Sequence, residues 1–461
     1  MQLRLYSRRS KRLWQRMLSI RLRLLPLAVI IVTLLLASVY FPAPLFIATS
    51  YSMTVLYTIW GAYHLLLVLI GVKKPLDPPP KPSRYPKISV IIPARDEPLL
   101  GRVIETVLKH VEYPDNIKEV IIVTDDPHGE RVAFWYQQKF HGNVKLLARR
   151  ELFPTKPSAL NDGFYLSSGE IVAIMDVEDI PDRDTFLKVV SALVDYGYDA
   201  VQVILRIVNE DDSWITKMFA VEYAAWFRVW INGRSKLGHY TPLGGTGNYF
   251  KRSSAMLVGM WDSLNLAEDA EVAARMHIAG KRTVLINARH WEEAPVDFRS
   301  WLRQRTRWYR GWLQILWKYG GMLRRLRMIR KLGIINFLTF LLMFLNPLIV
   351  VFNIMLYWMT LLWLLEYFGF LPKVISDVVP VFMFLPALLN IVYYSTWIIG
   401  AKLERVRIGK LRNIPQILLY VNVMLPVAAL RALYQALTKP VFWEKTTHPG
   451  RGVKGFVKEK H

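Results

Sequence analysis

Three short stretches concentrate the side chains that chemistry needs. The apolar run "EIVAIM" ends in "DVED", Asp176 to Asp179. Acids at alternate positions of a strand end point into one cleft. There they suit a hard divalent cation that keeps waters and takes its remaining oxygens from a diphosphate. "PDRDTF" follows directly, so helix capping accounts for Asp179 to Asp184 as well. "AED", Ala267 to Asp269, opens a helical stretch whose apolar face includes Val272, Ala273 and Met276. Glu268 and Asp269 there compensate the helix dipole, and they also suit a general base held at a rigid helix end. His277, inside that helix, reads as structural. "RQRTRWYRGW", Arg303 to Trp312, gathers guanidiniums over two turns with no carboxylate between them. Arginine forks clamp diphosphates, and a basic Trp-rich helix also lies on bilayers with its indoles at headgroup depth.

A fourth stretch, "PLGGTGNYFKR" at residues 242–252, places Gly244, Gly245, Thr246 and Gly247 together. Such a loop lets backbone approach a ligand closely. It lacks the ending of a phosphate-cradling P-loop and the spacing of a dinucleotide fingerprint, so a plain tight turn stands beside the binding reading.

The elements that position these groups are legible from Ile88 to about Pro295. The runs "ISVIIPA", "EVIIVTDD", "NVKLLA", "EIVAIMDVED" and "DAVQVILR" read as strands; "PLLGRVIETVLKHV" and "PDRDTFLKVVSALVDYG" read as helices. That alternation predicts a mostly parallel, doubly wound α/β sheet, whose ligands bind at the carboxyl ends of strands. Those ends carry Asp96 and Glu97, Asp125 and Asp126, then Asp176, Glu178 and Asp179.

Apolar residues gather toward the two ends of the 461-residue chain. Residues 24–41 and 45–72 contain no Lys, Arg, Asp or Glu and are each long enough to cross a bilayer; 347–367 and 378–400 are further candidates. The net charge of +24 sits mostly beside these spans, with eight basic residues in 1–23 and eleven in 299–331, neither segment holding an acid. The positive-inside bias explains both clusters, and with no stacking or groove-reading element on the soluble part a nucleic-acid partner is not expected. Basic residues on both sides of "IPQILLYVNVMLPVAALRALYQAL" predict an interfacial or re-entrant helix broken at Pro426. Cysteine is absent, which removes disulfides and thiolate metal sites. The expected organisation is a basic N-terminus with two transmembrane helices (1–72), a Pro-rich linker (73–87), a cytoplasmic catalytic domain (88–297), amphipathic interfacial helices (298–332), and transmembrane helices with a basic cytoplasmic tail (333–461).

In this order and spacing the motifs resemble the membrane-integrated glycosyltransferases of family 2, the group of cellulose, hyaluronan, cyclic-glucan and mannan synthases. The Q-(Q/R)-x-R-W signature reads Gln304, Arg305, Thr306, Arg307, Trp308; T-E-D reads "AED"; the donor aspartates read Asp125 and "DVE"; the acceptor loop reads "GGTGN"; and "PARDE", "ALNDG" and "KPVFWEKTTHPG" also match in type. The resemblance covers roughly residues 85–450. It implies a GT-A-type nucleotide-sugar-binding domain inserted between transmembrane helices of a polytopic plasma-membrane protein. It assigns Pro93, Arg95, Glu97, Asp125, Lys156, Asp176, Gln304, Arg305 and Arg307 to the donor, Asp176 and Glu178 to a Mg or Mn ion, Gly245, Thr246, Asn248 and Trp308 to the acceptor, and Asp269 with Glu268 to catalysis.

Departures from the family pattern are Ala267 for the Thr of T-E-D, Glu178 for the second Asp of D-x-D, and Asp96 for the Asn before Glu97. The implied activity is an inverting, processive transfer of a sugar, UDP-glucose favoured, to a growing β-linked polysaccharide that the protein helps to translocate. The alternatives are a single transfer to a lipid carrier or short glycan, and a GDP-mannose-using mannan synthase. A non-catalytic scaffold or transporter is disfavoured by the intact Asp176, Glu178, Asp269 and Arg307.

Overall fold

A computed structural model describes residues 42–140, 142–150, 155–319, 322–370, 380–408 and 413–439. The basic N-terminus, the apolar run 24–41 and the tail beyond residue 439 lie outside the described residues. Eight strands form one sheet: β1 (Ile88–Ala94), β2 (Lys118–Thr124), β3 (Val144–Ala148), β4 (Ile171–Ile174), β5 (Ile180–Pro181), β6 (Ala200–Ile207), β7 (Asn248–Lys251) and β8 (Thr283–Glu292), in the order β3-β2-β1-β4-β7-β6-β8-β5. The half β3-β2-β1-β4 is parallel, as its near-continuous Ile and Val runs require when both faces are covered. Ile88, Val90, Ile92, Val120 and Ile122 pack to one side of it, and Ile91, Ile121 and Val123 to the other.

The other half is mixed. β7 runs antiparallel to both β4 and β6, β8 is parallel to β6, and β5 is antiparallel to β8. The expectation of a mostly parallel sheet therefore covers one half and the β6–β8 pair. β7 was hidden because four residues after a glycine loop carry too little pattern to announce a strand.

The helices that matter to the site are α1 (Pro42–Gly71), α2 (Lys156–Leu166), α3 (Trp214–Ala225), α4 (Glu268–Ile278), α5 (Phe298–Tyr319), α6 (Ile334–Phe344), α7 (Asn346–Tyr367), α8 (Pro380–Leu403) and α9 (Ile414–Thr438). Two of the described helices, α1 over Thr54–Gly71 and α9, are long and apolar enough to cross a membrane, and α6 with the first part of α7 forms a third candidate bent by 58°. α7 and α8 are helical where the sequence suggests two further spans. The break expected at Pro426 is not there. α9 runs through a wide turn at Tyr420–Met424, and Pro426 opens the segment Leu425–Thr438, where its missing N–H costs little. The bend lies instead between Phe344 and Asn346, just before Pro347.

Glycines let these helices sit directly on the α/β domain. A Cβ on Gly71 would come within 2.0 Å of the Val229 carbonyl oxygen, and one on Gly400 within 2.6 Å of Ala225 backbone. Arg228 donates to the carbonyls of Gly71 and Lys73 at 2.9 and 3.0 Å, closing the end of α1 against the domain.

Candidate functional site

The strand ends and two helix starts converge on one cavity of about 680 Å³. Pro93, Arg95, Glu97, Asp125, Lys156, Asp176, Glu178, Gly245, Thr246, Glu268, Asp269, Gln304, Arg305, Arg307 and Trp308 all line it. Asn248 does not. Its amide donates to the Gly244 carbonyl at 2.5 Å and so shapes the glycine loop from within.

At one end of the cavity, Asp125 follows β2, and Arg95 approaches it at 3.6 Å. Asp126, next to it, caps the helix Pro127–Lys139 by accepting from the Gly129 amide at 2.7 Å, and it also receives the Asp96 amide at 3.0 Å. Asp96 sits at φ 53°, a left-handed conformation that Asp and Asn tolerate better than most residues.

Lys156 opens α2, which Thr155 caps. The ammonium donates to Asp176 Oδ2 at 2.8 Å and to the Gly245 carbonyl at 2.8 Å, and it lies 2.5 Å from Asp176 Oδ1 as an ion pair. Burial alone would lower its pKa, but Asp176 and Glu268 outweigh that and raise it, so the group is firmly cationic. A Cβ on Gly245 would lie 3.6 Å from this ammonium and 3.7 Å from an Asp269 oxygen. The loop, the lysine and the acid of α4 thus meet at one point.

Glu268 and Asp269 occupy the first turn of α4, and Glu268 is buried. Burial raises both carboxyls above the usual carboxylate range. The charge of Asp269 adds to this for Glu268, and that of Asp176 for Asp269. A carboxylate so raised is a stronger proton acceptor than one in water. Ala267, at the cap position, offers no side-chain cap; its amide is taken by Asn265 at 2.9 Å. Gly311 of α5 crosses here, and a Cβ on it would come within 2.5 Å of the Ala267 Cβ. Two small residues let α5 touch the start of α4.

The four motif residues of α5 divide. Arg307 faces the acids: burial lowers its pKa, while Glu268, Asp176, Asp269 and Glu178 act to raise it. Arg305 does not fit the diphosphate role expected of it. Its guanidinium forks onto Glu222 of α3, with Nη1 at 2.8 Å from Oε1 and Nη2 on Oε2, and it lies over the Trp308 ring at 4.7 Å. Tyr420 of α9 donates to the same carboxylate at 2.7 Å. Gln304 Oε1 is buried at the cavity wall without a hydrogen-bond partner, as a group awaiting a hydroxyl or amide donor would be. Trp301 and Trp312 pack against other parts of the protein. The Trp301 indole is fully buried and donates to Tyr420 at 2.6 Å, and Trp312 stacks on Trp226 at 5.6 Å.

Thr246 and Asp179 also take structural parts. The Thr246 hydroxyl accepts from the Asp176 amide at 3.1 Å and donates to Asp179. Asp179 in turn lies 3.4 Å from His290 Nδ1, whose Nε2 meets the Tyr249 hydroxyl at 2.7 Å. The "DVED" turn and the glycine loop are locked together beneath the cavity floor.

A divalent cation fits the donor set. Asp176 and Glu178 present hard oxygens to the cavity, and Asp176 already faces a cation, the Lys156 ammonium. No cluster of three or more His, Cys, Asp or Glu side chains is arranged around a common point among the described residues, so an ion there would draw further oxygens from donor and water. Sequence reasoning missed Arg149, Glu222, Tyr223, Glu292 and Glu293, which also line the cavity. Glu292, raised by burial and then by Asp179 and Glu178, stands in "HWEEAP", whose paired acids at the end of β8 were the available signal.

Residues 171–375 match the model of "Glycosyl transferase family group 2". A "Probable glycosyltransferase YdaM" of Bacillus subtilis is 29% identical over 270 residues, 57% of this chain and 64% of that protein. A "Beta-monoglucosyldiacylglycerol synthase" of Synechocystis is 26% identical over 236 residues, 50% of this chain and 48% of that one. A "Poly-beta-1,6-N-acetyl-D-glucosamine synthase" of Staphylococcus epidermidis is 27% identical over 208 residues, 45% of this chain and 50% of that one. The chain thus spans about half to just under two thirds of the length of these relatives. The matched segment runs from β4 past α5 and holds Asp176, Asp269 and Arg307.

Proposed function

We propose that the protein is an inverting membrane glycosyltransferase that moves a hexose from a nucleotide-sugar donor, UDP-glucose first, to a growing β-linked glycan, and that it aids passage of that glycan across the membrane. The single observation that carries this reading is the continuity of the cavity. Donor-side groups Asp125, Lys156 and Asp176 line one end, Asp269 stands between, and the other end reaches Trp226, Trp230, Trp312 and the membrane-proximal Tyr393 and Leu425. Aromatic faces suit the C–H faces of sugar rings, and an acceptor lying there meets Asp269 from the side opposite the donor acids. The catalytic domain belongs on the cytoplasmic face of a multi-pass protein in the cell membrane, where nucleotide sugars are supplied.

Asp269 takes the proton of the acceptor hydroxyl. The acceptor oxygen then bonds to the anomeric carbon as the carbon–oxygen bond to the nucleoside diphosphate breaks, and the departing diphosphate keeps that electron pair. Arg307 and Lys156 face the charge that develops, in a site where donors aimed at developing charge are worth most. A divalent ion held by Asp176 and Glu178 would supply further neutralisation of the diphosphate. Gln304 Oε1 is placed to accept from a sugar or base donor group.

A second reading is a single transfer to a lipid acceptor. It is favoured by the relative named for a glucosyldiacylglycerol and by the small number of described helices that qualify as spans by themselves. The test is a screen of UDP- and GDP-sugars with purified protein in lipid, reading nucleotide release and then product length and linkage. Polymer supports the first reading, a single-sugar lipid the second, and no release from any donor refutes both.

A further inference from the structure

Lys156 occupies a position that local helix physics disfavours. It is the first residue of α2, where the helix dipole repels a cation, yet its ammonium donates to Asp176 Oδ2 and to the Gly245 carbonyl and lies 2.5 Å from Asp176 Oδ1. A single ammonium thereby spans both oxygens of the carboxylate that the donor site would use for a divalent ion. Around it, Asp176, Glu178, Glu268 and Asp269 outnumber Lys156 and Arg307.

We propose that Lys156 is a resident counterion that holds the donor site closed to metal until the nucleotide arrives. The ammonium then leaves Asp176 for the diphosphate, and Asp176 is freed for the ion. This inference rests on the donor-site reading given above. Three features make the exchange feasible. The lysine head is a compact charge on a flexible stem, so it can turn from one acceptor to another without moving α2. Its partner Gly245 belongs to the glycine loop that also approaches Asp269, so departure of the ammonium is sensed beside the catalytic base. A dication and an ammonium on the same carboxylate repel one another, and a diphosphate is the ligand that can accept both.

The consequence is thermodynamic coupling: each of metal and nucleoside diphosphate strengthens binding of the other, by the same factor. The experiment uses full-length protein in lipid nanodiscs, Mn2+ followed by the loss of its free-ion EPR signal, and UDP and GDP followed by calorimetry. In the wild type, Mn2+ alone binds weakly and nucleotide tightens it by about tenfold or more. In Lys156→Met, Mn2+ alone binds about tenfold more tightly, nucleotide with metal binds more weakly, and the coupling shrinks toward one. Lys156→Gln, which keeps hydrogen bonding without charge, changes in the same directions, and the melting temperature of either variant in EDTA rises on adding Mn2+ by more than the wild type's does. Unchanged or weakened binding of Mn2+ alone in both variants overturns the counterion role and leaves the donor-site reading standing if wild-type protein still forms a ternary complex. Failure of wild-type protein to bind any nucleoside diphosphate with Mn2+ overturns both.

Discussion

Two cation–carboxylate pairs face the same cavity and are built for opposite behaviour. At one end, Lys156 meets Asp176 with a rotatable ammonium on a flexible stem, beside a glycine loop. At the other end, Arg305 meets Glu222 as a two-pronged fork, boxed by Phe219, Trp301 and Trp308 and tied to Tyr420. The first pair joins the start of α2 to the turn that follows β4. The second pins α3, α5 and α9 to each other, so that the domain and a membrane-crossing candidate share one buried network. A bidentate guanidinium pair fixes geometry, whereas a single ammonium fixes only charge. The lesson is that the basic residues of one site divide into those that hold the cavity's shape and those that answer its ligand.

Asp269 lies between the pairs, and replacing it gives the largest expected effect. Asp269→Asn removes the proton acceptor while keeping size and most hydrogen bonding. Turnover is expected to fall by about 10²- to 10⁴-fold with nucleotide affinity nearly unchanged. Parallel measurement of kcat and of UDP binding checks this; normal turnover in that variant would remove Asp269 from the mechanism and leave the two pairs with no reacting centre between them.

Glu222→Ala tests the rigid pair. It leaves the Arg305 guanidinium buried without its carboxylate, and breaking such a pair costs about 3–5 kcal/mol. Thermal unfolding in lipid is expected to show that loss, and the double replacement Glu222→Leu with Arg305→Met is expected to recover most of it, because a buried apolar pair carries no desolvation penalty. A single variant as stable as wild type would show that the Arg305–Glu222 pair is no latch.

Arg307→Ala sharpens the division within α5. Arg307 is two residues from Arg305 but is surrounded electrostatically by Glu268, Asp176, Asp269 and Glu178. Its loss is expected to lower kcat by about 10²- to 10³-fold, the usual scale for removing one donor aimed at developing charge. Stability is expected to change far less than in Glu222→Ala. If the two variants instead lose stability equally and activity equally, the contrast between shaping and responding cations fails.

How much of this was readable beforehand follows the range of each interaction. The strands β1, β2, β4 and β6 announce themselves because a fully buried strand is a local run of Ile and Val, and the carboxylates at their ends inherit that legibility. β7 and the continuity of α9 are set by neighbours instead: β7 exists because β4 and β6 flank a four-residue stretch, and a wide turn absorbs Pro426. In the site, the charge of "RQRTRW" was plain, but the partner of Arg305 is 83 residues away on α3 and left no mark near it. Trp301 illustrates the same limit. A Trp beside Arg in a basic helix reads as interfacial, and only the packing of α9 against α5 makes it core.

The smallest expected effect comes from the contact that sets α5 against α4. A Cβ added at Gly311 would lie 2.5 Å from the Ala267 Cβ and 2.6 Å from its amide nitrogen, and neither atom can rotate away. Gly311→Ala therefore forces the helices apart, at about 1–3 kcal/mol for overpacking, partly offset by alanine's better helix propensity. The displaced element begins with Glu268 and Asp269, so the cost in turnover is expected to exceed the cost in stability: the base shifts relative to Lys156 and the glycine loop while the Arg305–Glu222 latch, six residues away on α5, stays closed. Nucleotide affinity, kcat and melting temperature measured together test this. A fall in melting temperature with kcat intact would mean that the fit of Gly311 on Ala267 serves packing alone, and that Ala267 has no part in placing Asp269.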